Sequence, residues 1–308
     1  MGQKRGIVYL ALVLAMLFWA LSFVWVKQVY VAYGPLTTVF FRLIIATLMM
    51  LVYGLISRKL LKIEKKDYQT FLLLAFFEPF LYFMGESFGL KYVSSTIGAI
   101  IIATIPLFSP LAASRFHGEK LSLRNFIGII LSFIGVGIVV LDDSVNFVSS
   151  PLGVGLEFLA VFAAIAYTVV LKELSNKYNA TTIITYQNFI GIFYFFPFWL
   201  IFESQTFSSI PFALPAFIAI VKLALFASCF AFILYAYSLK RLGMNNTNIF
   251  INIIPVLTAI FAWYMLGEPL SLRKFIGIGV VIAGLFIAQV KMKKIIARLV
   301  SIQQDGGR

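Results

Sequence analysis

The sequence is short of almost everything that soluble enzymes use. It has one cysteine, Cys229, and one histidine, His117, in 308 residues. A lone thiol leaves no disulfide framework, and one imidazole with one thiolate cannot assemble a metal cluster. Acidic residues are scarce, 12 against 25 Lys and Arg. Charged residues of both signs make up 12% of the chain, against about 25% in a soluble domain. No P-loop, G-x-S-x-G or H-E-x-x-H string occurs, so ATP coupling within the chain and the common hydrolase chemistries have no support. The net charge is +13, but no basic amphipathic helix or nucleic-acid motif accompanies it. The cations sit in short runs between apolar spans.

What the sequence has is apolar length. It is 61% hydrophobic and 17% aromatic, more apolar surface than a water-soluble fold of this size can hide. Ten runs can be drawn: 7–27, 36–57, 68–90, 93–115, 123–141, 152–172, 181–202, 213–239, 245–266 and 273–290. Each approaches the length that crosses about 30 Å of hydrocarbon. The runs are continuous rather than alternating, which excludes a lipid-facing barrel. Helices satisfy their own backbone groups, so each span is predicted helical. The first run is too long for a signal-peptide core and has no small-residue cleavage site, so it reads as a retained helix.

With the N-terminus in the cytoplasm, 19 of the 25 Lys and Arg fall in cytoplasmic segments and four in outer ones. Arg42 and Lys222 lie inside spans. The asymmetry puts both termini inside. An integral protein of the cell (inner) membrane is expected.

One stretch occurs twice. Residues 106–128 read PLFSPLAASRFHGEKLSLRNFIG, and 255–277 read PVLTAIFAWYMLGEPLSLRKFIG, a shift of 149. Gly118-Glu119 answers to Gly267-Glu268, and Gly135 to Gly284. A five-helix unit is odd in number, so its second copy must enter the membrane from the opposite side. The expected fold is an all-α membrane protein: ten helices as two inverted five-helix repeats, 1–141 and 142–290, followed by a basic tail, 291–308. Inverted repeats are common in secondary transporters, whose site lies near the midplane between the copies.

Several residues carry a candidate mechanism. Pro106 and Pro255 lie inside spans four and nine, and their paired placement reads as a kink or as a hinge beside a cavity. Glu78, Tyr82 and Glu86 share one face of span three. Ionisable groups within spans are functional candidates. Arg42 sits at a depth like that of Glu86, and an Arg42–Glu86 ion pair is expected, structural or gating. Lys222 belongs to the same outer half, with Glu78 or Glu157 as its partner. Glu157, about a turn into span six, reads as interfacial. Asn248 and Asn252 face one way on span nine, as helix glue or as substrate contacts. Trp19, Tyr82, Tyr167 and Tyr235 lie deep enough to wall a pocket.

The doubled pattern of proline, Gly-Glu turn and glycine-spaced last helix (Gly128, Gly135 and Gly137; Gly277, Gly279 and Gly284) resembles the drug/metabolite transporter superfamily, in particular its ten-helix EamA-type members. Trp19 and Arg42 fit the same look. The resemblance covers about residues 7–290. It implies a cavity between the halves, alternating access, and packing or dimer roles for helices five and ten. It does not indicate a substrate.

The resulting expectation is a secondary transporter, not an enzyme and without cofactors or metal, exporting small amino-acid-like or drug-like organic metabolites. The partners are that solute, the lipid bilayer, protons if Glu78 couples flux to them, and a second copy if a homodimer forms; nucleic acid is not among them. The alternative is a non-transporting scaffold or lipid-interacting protein.

Overall fold

A computed structural model describes residues 2–108, 123–141, 149–242 and 249–289. Among them the chain is helical, with no strand. Ten helices follow the ten runs: α1 (Gly2–Val29), α2 (Pro35–Ile56), α3 (68–92), α4 (Ser95–Phe108), α5 (Leu123–Val140), α6 (Pro151–Ser175), α7 (Ala180–Phe202), α8 (214–242), α9 (249–266) and α10 (Leu272–Gln289). Six of them, α1, α2, α3, α6, α7 and α8, are long and apolar enough to cross a membrane. Large apolar side chains such as Leu48, Ile56, Phe193, Ile201 and Phe275 point outward, as lipid contact requires.

Two helices carry a π-helical segment in place of the plain α-helix that the apolar runs suggested. α3 is Tyr68–Ala75, a π-helical segment Phe76–Leu81, then Tyr82–Tyr92. α8 is Leu214–Lys222, a π-helical segment Leu223–Phe230, then Ala231–Leu242. Adding the 149-residue shift to 76–81 gives 225–230, so the two wide turns occupy matching places. α4 and α9 match in the same way. α4 breaks at Ala103-Thr104, and α9 opens as a 3-10 turn, Ile249–Ile253.

Helices pair across the two halves of the chain: α1 with α8 and α9, α2 with α7, α3 with α6, α4 with α9, and α5 with α10. The α5–α10 contact runs at backbone distance. A Cβ on Gly135 would lie 2.9 Å from the Gly277 carbonyl, and one on Gly284 would lie 2.7 Å from the Gly128 carbonyl. Gly128 opposite Gly284 and Gly135 opposite Gly277 makes the pair antiparallel. The α3–α6 contact is equally close, with Gly85 and Gly89 against Leu156, Glu157 and Ala160. Small residues let backbones meet where apolar burial gives no driving force.

The Gly-Glu turn after α9 has a visible purpose. Gly267 ends the helix at φ 69°, with Gly267 N–H donating to Trp263 O and Glu268 N–H to Ala262 O, a left-handed closure that glycine adopts without Cβ strain. Glu268 then reaches the other half. Its Oε1 accepts from Ser95 N at 2.8 Å and its Oε2 from Thr96 Oγ1 at 3.0 Å. A carboxylate there satisfies free donors at the N-terminus of α4 and matches the helix dipole. The first copy of this turn, with His117, Gly118 and Glu119, lies outside the described residues.

The opposite end of the bundle, which carries the α2–α3 and α6–α7 loops, is strapped by a polar cluster. Asp67 accepts from Lys177 Nζ at 2.7 Å and from Tyr178 Oη at 2.8 Å. Asn179 Nδ2 donates to Lys59 O at 2.7 Å, and Thr182 Oγ1 accepts from Leu61 N at 3.0 Å. The Lys177 hydrogen bond, helped by Tyr178, holds the Asp67 carboxyl below its ordinary range, and the same bond raises Lys177. A carboxyl depressed on folding stabilises above its unfolded value, and that contribution fades as pH falls through the lower folded value. Asp67→Asn is therefore expected to lower the detergent-solubilised melting temperature most at neutral pH. The difference from the parent should shrink to nothing in acid below the depressed Asp67 value. A difference that stays constant with pH contradicts this.

Candidate substrate site between the halves

The π segments explain how the site is positioned. A wide turn leaves backbone carbonyls without their usual partners, and such turns recur at functional sites. On α8 the Ala227 carbonyl accepts from Trp19 Nε1 of α1 at 3.3 Å. Ser228 Oγ accepts from Arg42 Nε of α2 at 2.7 Å. On α3, Glu78 has a non-helical backbone, φ −144° and ψ 118°, just before Pro79. The Pro79 ring sits where a Cβ on Gly191 of α7 would be.

Around these segments lies a buried polar cluster. The Arg42 guanidinium is 4% exposed and lies 4.3 Å from the centre of the Phe83 ring. Tyr82 Oη donates to Glu86 Oε1 at 2.9 Å, and Tyr30 Oη donates to Ser87 O at 2.6 Å. Tyr167 Oη donates to Gln187 Oε1 at 3.1 Å. Trp19 packs on Tyr235, with ring centres 5.1 Å apart, and edge-on to Phe232. Glu78 is 7% exposed and lies within electrostatic reach of Arg42, Glu86, Tyr167 and Tyr235. Its carboxylate accepts no hydrogen bond among the described residues. Trp19, Arg42, Glu78, Tyr82, Glu86, Tyr167 and Tyr235 thus come from α1, α2, α3, α6 and α8, three helices of one half and two of the other.

Other expectations meet a different geometry. The direct Arg42–Glu86 ion pair is not made. Arg42 instead bonds to Ser228 in the other half of the chain, and Glu86 is held by Tyr82, which leaves the two charges coupled only through space. Lys222 is half-buried at the start of the α8 π segment and forms no ion pair or hydrogen bond among the described residues. Glu157 is packed inside the bundle: it is 0% exposed, because glycines of α3 and α4 close over it.

Pro106 and Pro255 are both buried next to a change of helix type. Before Pro106 the chain makes short bonds, Thr104 N–H to Ile101 O and Leu107 N–H to Thr104 O, each 2.9 Å. Pro255 stands in the first turn of Ile254–Leu266, directly after the 3-10 turn. That turn holds Asn252, 5% exposed, whose amide oxygen and nitrogen both lack partners. A buried amide with nothing to bond calls for a water or a ligand. Asn248 lies outside the described residues.

Ser228, Gln187 and Tyr30 escaped sequence reasoning. Ser228 and Tyr30 carry no pattern of their own. Gln187 had a faint signal, since it stands near Arg42's place in the second copy. A separate cleft of about 590 Å³ opens at the α1–α2 end. It is lined by Tyr33, Thr37, Met84, Phe88, Lys91 and Phe207 among others. None of Trp19, Arg42, Glu78 or Glu86 lines it, so it is distinct from the polar cluster.

A profile for the EamA-like transporter family matches residues 6–141 and again 151–289. The chain belongs to the EamA-like transporter family. Two uncharacterized transporters of Archaeoglobus fulgidus are similar to it. One is 26% identical over 279 residues, covering 91% of this chain and 97% of that protein; the other is 28% identical over 285 residues, covering 92% and 97%. The uncharacterized transporter YetK of Bacillus subtilis is 28% identical over 256 residues, covering 82% and 77%. A protein of known crystal structure shares the fold with a TM-score of 0.66 at 15% identity, over 94% of this chain and 98% of that one. EamA membership and the apolar helices make this an integral membrane transporter, in contact with lipid and carrying small molecules.

Proposed function

We propose that this EamA-family protein is a secondary transporter that exports small organic metabolites bearing a basic nitrogen, amino-acid-like or drug-like. It works by rocking two inverted five-helix halves about the site that holds Glu78. The observation that carries the reading is Glu78 itself. Its carboxyl group, without a hydrogen bond among the described residues, sits on a π turn within electrostatic reach of Tyr167 and Tyr235 from the other half, and a cation beside it would hold it ionised. A cationic amine is the group it can satisfy, and aromatic faces favour the same cation. Asn252 adds an amide with unused capacity.

The pairing of helices supports inverted halves. Exchanging α1–α5 for α6–α10 turns α1–α8 into α6–α3 and leaves α2–α7, α4–α9 and α5–α10 unchanged. The antiparallel α5–α10 seam, the matching π segments and the family profile that fits twice support the same reading. Pro106 and Pro255 act as hinges, and the Arg42–Ser228 bond acts as a latch between halves. The Lys and Arg distribution supports both termini in the cytoplasm, with the protein in the cell (inner) membrane. The test is flux of a labelled panel of amines, amino acids and organic anions in proteoliposomes. Amine flux above that of protein-free vesicles is expected. Flux confined to anions would overturn the assignment, and none across the panel would favour a non-transporting role.

A further inference from the structure

Glu157 lies on α6, within electrostatic reach of Glu86 and Tyr82 but not of Glu78. It is 0% exposed, and both carboxyl oxygens lack a hydrogen-bond partner among the described residues. Gly89 of α3 and Gly98 of α4 make the room it occupies: a Cβ on either would stand 2.8 or 3.1 Å from Glu157 Oε1. The groups that reach it are few. α3 offers Glu86 and Tyr82, and α1 offers Lys27 and Tyr30. α4 carries no ionisable residue. The Lys27 ammonium is engaged elsewhere, donating to Leu90 O and, at 2.6 Å, to Val93 O at the end of α3, with Glu268 also near.

An ionised carboxylate with no water and no donor is far too costly to bury, so a group in this position is neutral. Two of its walls, α3 and α4, belong to one half of the chain, and α6 belongs to the other. We infer that Glu157 is a proton-binding site distinct from the Glu78 pocket, filled while α6 is closed on α3 and α4 and emptied when that seam parts. The idea rests on the proposed rocking of the halves. On opening, the carboxyl O–H bond breaks and the proton passes to water at the open end. The carboxylate left behind faces the Lys27 ammonium, which stabilises it. On closing, a proton from water restores the acid. One proton therefore enters and leaves per cycle, whatever solute occupies the other site.

Infrared difference spectroscopy on the detergent-solubilised protein tests this without a known substrate. The parent minus Glu157→Gln spectrum at neutral pH is expected to show one protonated-carboxyl band, lost completely in the variant. On transfer to D2O that band should shift to its deuterated position as the seam opens. Glu157→Leu, which replaces a neutral acid by an apolar group of similar size, should lose the same band and keep the parent melting temperature. It serves if the glutamine variant does not fold. Loss of ionised-carboxylate bands instead would overturn the proton assignment while leaving the transport reading intact. A protonated band that never deuterates would leave the proton in place but contradict a moving seam, and with it the proposed transport cycle.

Discussion

Glu78→Gln is expected to lower the flux of an amine-bearing solute in proteoliposomes by about 10- to 100-fold. The Glu78 carboxyl group stands on the π segment of α3 without a hydrogen bond among the described residues, within electrostatic reach of Tyr167 and Tyr235. A hydrogen bond to a charged group contributes about 1.5–3 kcal/mol, and that range sets the factor. Glutamine keeps the shape and removes the charge, so the fold should be unaffected. A neutral solute of the same size should lose little. Equal flux of the charged and neutral solutes through Glu78→Gln, at parent rates, would show that Glu78 does not meet the solute.

Gly277→Leu is expected to lower stability by about 3 kcal/mol or more, beyond the ordinary 1–3 kcal/mol of an overpacked core. A first side-chain carbon on Gly277 would run into the Val139 side chain and sit 2.8 Å from the Gly135 carbonyl. Backbone cannot step aside as a flexible side chain can, so α5 and α10 would have to separate. Gly279→Leu is the control. It lies two residues away on the same helix, and nothing stands within 4 Å of its added carbon. Thermal unfolding in a mild detergent should show Gly279→Leu near the parent and Gly277→Leu far below it. Similar melting temperatures for the two would mean that the α5–α10 seam is not close-packed.

The helices were legible in the sequence because a continuous apolar run of about 20 residues leaves the backbone few alternatives in lipid. The pattern Pro106/Pro255 and the glycines of α5 and α10 were legible because they recur at one fixed shift. The site was legible in part. Trp19, Glu78, Tyr167 and Tyr235 stood out as deep polar or aromatic side chains; Trp19 and Tyr235 pack on each other, and Glu78 lies within electrostatic reach of Tyr167 and Tyr235. Arg42's partner was hidden because Ser228 is 186 residues away and serine within a span is unremarkable. Spacing at 3.6 residues per turn anticipated Tyr82 and Glu86, past the π segment, where the hydrogen bond forms. It gave no hint of the π segment or of the non-helical backbone at Glu78, which stays within electrostatic reach of Tyr82 and Glu86. That Glu157 packs inside the bundle could not be read from span position alone. Its burial depends on Gly89 and Gly98, whose small size matters only once α3 and α4 close over α6.

The most direct measurement is two-sided labelling of a thiol placed at the seam. Cys229 is the single natural cysteine and is buried, so Cys229→Ala gives a background without thiols. Tyr235→Cys in that background puts one thiol beside Trp19 and within reach of Glu78's charge. A membrane-impermeant thiol reagent should label it when added from either side of the vesicle, and a transported amine should slow both reactions. A thiol that stays unlabelled from both sides while the vesicles carry flux would place the solute path elsewhere and contradict a crossing between the halves.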